Sequence, residues 1–151
     1  MKDYMLLAAQ AAGKGIDEQQ GGPFGATIVK HDEVIVSVGN TVLDNTDPTG
    51  HAELVAVREA CHKLGTLDLS ECVVYATCEP CPMCVGAMML AGIKTVYYSS
   101  TKEDAANNGF SDQAIRDYLS GESSTAIHIE QVPQREECEA LWSRYALKKN
   151  K

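Results

Sequence analysis

Apolar residues at Met5, Leu6, Ala9, Ala12 and Ile16 recur at the spacing of one helical face. The pattern predicts an amphipathic helix over residues 2–17, ended within the glycine-bearing stretch 13–21. A turn cluster, Gly21-Gly22-Pro23, comes next. Residues 26–30 and 34–38 are rich in β-branched side chains and separated only by His31-Asp32-Glu33, which predicts a hairpin. Residues 41–50, with Asn45, Asp47 and Pro48, are expected to form a loop. Residues 52–64 are apolar on most faces and are followed by Gly65, as for a central helix with a glycine C-terminal cap.

Residues 72–77 read as a continuous apolar strand, 81–91 as a helix with Pro82 in its first turn, and 95–99 as another strand. This order implies a parallel crossover. A loop over 100–109, a helix over 112–119, a short strand over 126–132 and a last helix over 134–149 complete the chain. The last helix places Cys138, Leu141, Trp142 and Tyr145 on one face. No linker composition divides the sequence, so residues 1–151 are read as one domain. The expected class is α/β: three layers, α/β/α, around a five-stranded mixed sheet.

Apolar residues at 44% and charged residues at 23% fit an ordinary folded domain. The net charge of -8 and a pI near 4.9 argue against a nucleic-acid partner, which would need many Lys and Arg contacts. The apolar run 5–9 is too short for a signal segment or a membrane span, so no membrane partner and a cytoplasmic address are expected. Six cysteines in such a chain point to metal binding or burial rather than disulfides.

Cys81-Pro82-Met83-Cys84 sets two thiols at i and i+3 on a helix's first turn, where the dipole favours thiolates. Alone it would read as two buried cysteines, while a redox pair is disfavoured because such a motif follows the first strand of a different β-α-β order and this one follows the third. Upstream, His51-Ala52-Glu53 opens another helix after a loop, so two helix starts are able to face one cation. H-x-E, 26 residues, then P-C-x-x-C is the signature known for zinc nucleobase deaminases. His31, His62 and His128 are read as structural.

Three protein ligands leave a fourth tetrahedral position for water, as in a catalytic zinc site; closure by Cys78, Cys61, Cys72 or His62 would make the site structural. Glu53, two residues beyond His51, is placed to work beside the metal without binding it, as general base and acid. Its plain alternative is a helix-start carboxylate. The chemistry indicated is hydrolytic removal of an amino group from a nitrogen heterocycle by a metal-activated water, with Glu53 as proton shuttle.

Beyond that motif, the chain resembles the cytidine deaminase superfamily and, within it, the bacterial guanine deaminase branch. The resemblance rests on Gly21-Gly22-Pro23-Phe24-Gly25-Ala26, Asn40, Asp47-Pro48-Thr49 before His51-Ala52-Glu53, and Cys78-Glu79-Pro80-Cys81-Pro82-Met83-Cys84. It continues through Asp104-Ala105-Ala106, Gly109-Phe110-Ser111-Asp112 and the Trp142-containing tail. It implies zinc, one per subunit, on His51, Cys81 and Cys84, with Glu53 as proton shuttle. It further implies Asn40 and Asp112 hydrogen-bonded to a purine base, the Ala52 backbone in the pocket wall and Phe24 packed on the ring.

From the residues alone, Asn40 is as well read as a turn residue, Phe24 as core and Asp112 as a helix cap. The resemblance also implies conversion of guanine to xanthine and ammonia, and a homodimer that exchanges C-terminal segments. The chain departs from the pattern at Gly50, where Ala is usual, and in its Lys148-Lys149-Asn150-Lys151 ending. Rival readings are a tRNA adenosine deaminase, a deaminase of guanosine, cytosine or an aminotriazine, and a zinc-stabilised binding module that would have no use for Glu53.

Overall fold

The computed structural model describes residues 2–123 and 125–149. Helix α1 (Tyr4–Asp17) begins where the Asp3 side chain accepts the Leu6 N–H at 2.9 Å. Strands β1 (Gly25–Lys30) and β2 (Glu33–Gly39) form the expected hairpin. Its two turn residues, His31 and Asp32, both have positive φ (48° and 63°), the twist a two-residue hairpin favours. Helix α2 (Ala52–Leu64) has the predicted bounds and is closed by Gly65 at φ 66°. Then follow β3 (Cys72–Cys78), α3 (Pro82–Leu90) and β4 (Thr95–Ser100), with β3 and β4 parallel as the crossover requires. Helices α4 (Lys102–Asn107), α5 (Gln113–Ser120) and α6 (Glu136–Lys149) complete the described chain.

The sheet order is β2-β1-β3-β4, with β1 antiparallel to both its neighbours. The period-two alternation sorts side chains into two rows. Thr27 pairs with Ser37 and Tyr75, and Tyr75 with Tyr97. This row faces α1: Ser37 Oγ donates to the Leu7 carbonyl at 3.2 Å and Tyr4 stacks on Tyr75 with centroids 5.2 Å apart. The next row, Ile28 with Val36 and Val74, and Val74 with Val96, joins Ala56 and Ala60 of α2 and Met88 of α3 in the main core. The three layers are thus α1, the sheet, and α2 with α3. Gly25 lets α1 lie tightly on β1, because a Cβ there would collide with the Ala8 carbonyl.

Two expectations fail. The sheet has four strands, not five: residues 126–132 pair with nothing among the described residues. Alternation is present at Ile127 and Ile129, but a strand also needs a partner for its N–H and C=O groups, and among the described residues the outer edge of β4 stays unpaired. Residues 125–149 are all exposed, so the segment and α6 form an arm outside the core. The predicted loop 100–109 instead contains α4, started by a capping box between Thr101 and Asp104. Among the described residues no helix is long and apolar enough to cross a membrane, and all six cysteines are free thiols. Of the lysine-rich ending, Asn150 and Lys151 lie outside the described residues.

Candidate active site

His51 and Cys81 occupy the N-cap positions of α2 and α3, and neither side chain caps its own helix. Both therefore turn toward each other across the gap between the two helix starts, and Cys84, one turn into α3, joins them. The Cys81 Sγ to His51 Nδ1 distance is 3.5 Å, Cys84 Sγ to His51 Nδ1 is 3.7 Å, and the two sulfurs are 3.7 Å apart. A tetrahedral zinc with bonds of about 2.3 Å to sulfur and about 2.0 Å to nitrogen needs edges of about 3.8 Å between sulfurs and about 3.5 Å from sulfur to nitrogen, so the triangle already has the size of the ion's ligand face.

The thiols share one proton network. A hydrogen bond from Cys84, with help from His51, lowers the Cys81 pKa to about 4, while the same bond raises Cys84. The bond to Cys81 also raises His51. A cation would take the place of these protons. Cys78 does not close the site: it is not part of the His51, Cys81, Cys84 cluster, and its thiol donates to the Thr101 carbonyl at 3.6 Å.

Glu53 is 5% exposed, and burial raises its pKa; its carboxyl lies against the Cys84 thiol and faces the same cavity. That cavity, about 710 Å³, opens beyond the carboxyl ends of β3 and β4 and is lined by His51, Glu53, Phe24, Asn40, Asp112 and Phe110, among others. Asn40 is buried. Its Oδ1 accepts the Val42 N–H at 2.9 Å, which leaves the amide N–H donors for a ligand. Gly21 makes room for it, since a Cβ there would collide with the Asn40 side chain and carbonyl.

The Ala52 side chain is fully buried in the core beneath the site, at the first turn of α2. Asp112 stands at the N-cap of α5 yet makes no capping bond; instead its Oδ1 accepts from Arg116 Nε at 2.9 Å. The departure at Gly50 has a local cause. A Cβ there would come within 2.9 Å of Thr41 Oγ1 and 3.1 Å of the Val42 nitrogen, so Thr41 fills the space an alanine would take.

Residues 1–100 match the model of the cytidine and deoxycytidylate deaminase zinc-binding region. The chain belongs to this deaminase family. It is similar to guanine deaminase of Bacillus subtilis, 45% identical over 74% of this chain and 72% of that protein. It is also similar to the tRNA-specific adenosine deaminase of Aquifex aeolicus, 42% identical over 66% of each chain. The crystal structure of the Bacillus subtilis guanine deaminase superposes with a TM-score of 0.88 at 37% identity, covering 97% of this chain and 95% of that one.

Two residues at this deaminase cavity were not singled out from the sequence: Phe110, in its wall, and Arg116, which lies behind the wall and holds Asp112. Phe110 meets Phe24 edge to face, centroids 5.1 Å apart at 89°; Gly22 leaves room for both rings. Only its place in the family-like Gly109-Phe110-Ser111-Asp112 run marked it. Arg116 carried a signal that was legible, an Asp and an Arg four residues apart on one helix.

Proposed function

We propose that this deaminase converts guanine to xanthine and ammonia, holding one zinc ion per chain on His51, Cys81 and Cys84. The observation that carries the reading is Glu53: a buried, unligated carboxyl beside a three-donor triangle, facing a cavity large enough for a purine. A zinc-stabilised binding module has no use for such a group, which burial alone disfavours. Bound there, zinc would supply Lewis-acid polarisation that yields a water-derived nucleophile at neutral pH.

The chain's own residues do the rest. Burial keeps Glu53 basic enough to take one proton from the attacking water and pass it to a ring nitrogen, where it stays, and then to move that water's second proton to the amine, which leaves as ammonia. Asn40 donates its free amide N–H to the base edge, and Asp112 accepts a ring N–H. Phe24, braced by Phe110, stacks on the ring plane. The backbone N–H of Ala52, a free donor of the α2 start, faces the reacting carbon's substituents.

Guanine, rather than an adenosine in tRNA, is supported by the extent of the likeness. The zinc half resembles both kinds of deaminase about equally, whereas the similarity to the guanine deaminase structure runs into the C-terminal third. The charge of -8 also disfavours a polyanion. An ammonia-release screen of the zinc-loaded protein against guanine, guanosine, adenine, cytosine, aminotriazines and adenosine-bearing tRNA tests the reading. Turnover of guanine is expected; turnover of the tRNA with none of guanine overturns it.

The same reading makes the chain a cytoplasmic, single-domain homodimer whose residues 125–149 cross to a second copy. Ile129, Val132, Trp142 and Tyr145 are each at least two-thirds exposed, more apolar surface than a lone arm retains in water. The unpaired β4 edge offers a partner's strand a place to add. Sedimentation at micromolar concentration should give twice the chain mass; a monomer that remains fully active rules the exchange out.

A further inference from the structure

We propose that Arg116 is the positioning residue for Asp112, a clasp that fixes the substrate-side carboxylate to the loop carrying the zinc ligands. The inference rests on the reading of Asp112 as a base contact. Arg116 uses its guanidinium in two directions: Nε donates to Asp112 Oδ1 at 2.9 Å, and an outer nitrogen donates to the Pro80 carbonyl at 3.3 Å. Pro80 immediately precedes Cys81. One planar group thus spans from the residue before a zinc ligand to the carboxylate across the cavity.

Two further observations give the clasp its weight. With side chains 24% and 20% exposed, this is the most sheltered ion pair among the described residues. The others are half open to water at one end or the other, where pairing contributes little. In addition, α5 has no buried residue, so the core does not fix the angle at which Asp112 enters the cavity. Asp112 makes no capping bond that would hold it, and its Oδ2 accepts no hydrogen bond among the described residues. Arg116 therefore occupies one carboxylate oxygen and leaves the other for a ring N–H. A lysine would offer a point charge without the fork that reaches both partners.

A double-mutant cycle tests this, run on the best purine substrate of the screen described above, so that guanine failing as a substrate and the coupling failing are separate results. Arg116→Met should lower kcat/KM about ten- to hundredfold, chiefly through KM, with zinc content and thermal midpoint close to wild type. Arg116→Lys should recover only part of the loss. Once Asp112→Asn is present, adding Arg116→Met should cost less than about twofold further, because the residue acts through the one already removed. Losses that multiply across the two substitutions, or an Arg116→Met enzyme within twofold of wild-type kcat/KM, would overturn the proposal.

Discussion

The chain up to Ser100 and the chain beyond it are held by different forces. Before Ser100, the elements that carry the His51, Cys81 and Cys84 triangle are locked by burial: Ala52, Ala56 and Ala60 of α2 and Cys84 and Met88 of α3 are almost wholly inaccessible. Beyond Ser100, α4, α5 and α6 have no buried residue. The far wall of the cavity is held by polar ties and one aromatic contact. The Lys102 N–H donates to Glu79 Oε1 at 3.1 Å, the Glu79 N–H to the Ser100 carbonyl at 2.8 Å, Arg116 reaches Pro80, and Phe110 meets Phe24. The proposed reactive groups sit on rigid elements, where small displacements are costly. The wall proposed to read the substrate can change without repacking a core.

Four experiments press on that contrast. Glu53→Gln, on the rigid side, should reduce ammonia release about a hundred- to ten-thousandfold while metal analysis still finds zinc, since an uncharged isostere keeps the fold and loses the proton carrier. Truncation after Gly121 should leave a folded, zinc-binding monomer with kcat/KM down by more than about tenfold, because under the proposed exchange each cavity loses the partner's covering arm rather than a reacting group. Sedimentation, zinc analysis and turnover read the three effects separately; a truncated chain that loses zinc as well would mean that the two regions are not independent.

Phe110→Ala should raise KM about two- to tenfold with kcat nearly unchanged, the scale of one aromatic contact, in steady-state assays with guanine. The smallest effect is expected at Asp47, whose carboxylate is lowered from its ordinary value of 3.8, chiefly by hydrogen bonds from the Thr49 hydroxyl and N–H. A carboxyl lowered in the folded state contributes its stability above pH 3.8 and loses it as the pH falls through the folded value. The metal-free Asp47→Ala protein should therefore melt below wild type at pH 7, with the gap closing toward pH 3.

The same boundary separates what was legible in the sequence from what was not. Residues 52–64 were read with their observed limits because an apolar helix followed by Gly65 satisfies its own local rules, and the clustering of His51, Cys81 and Cys84 followed from two helix starts and a fixed spacing. The strand expected at 126–132 failed because its apolar alternation describes a surface, whereas pairing depends on an edge that this chain does not bring to it. Helix α4 is short and charged, with no apolar stripe to detect; only the capping box from Thr101 to Asp104 announced it. Asp112 has the position of a cap and the company of Arg116, and the tertiary contact to Pro80 lies outside any local pattern.

Gly25 couples these regions to the far side of the sheet. Its missing methyl group seats α1 against β1, and its neighbour Phe24 is the first ring of the cavity wall. A helix that touches no reacting atom thereby acts as a spacer for the aromatic slot. Side chains along its inner stripe, at Ala8 and Ala12, become remote tuning points through which slot width, and so tolerance for larger heterocycles, can drift while the metal ligands stay fixed.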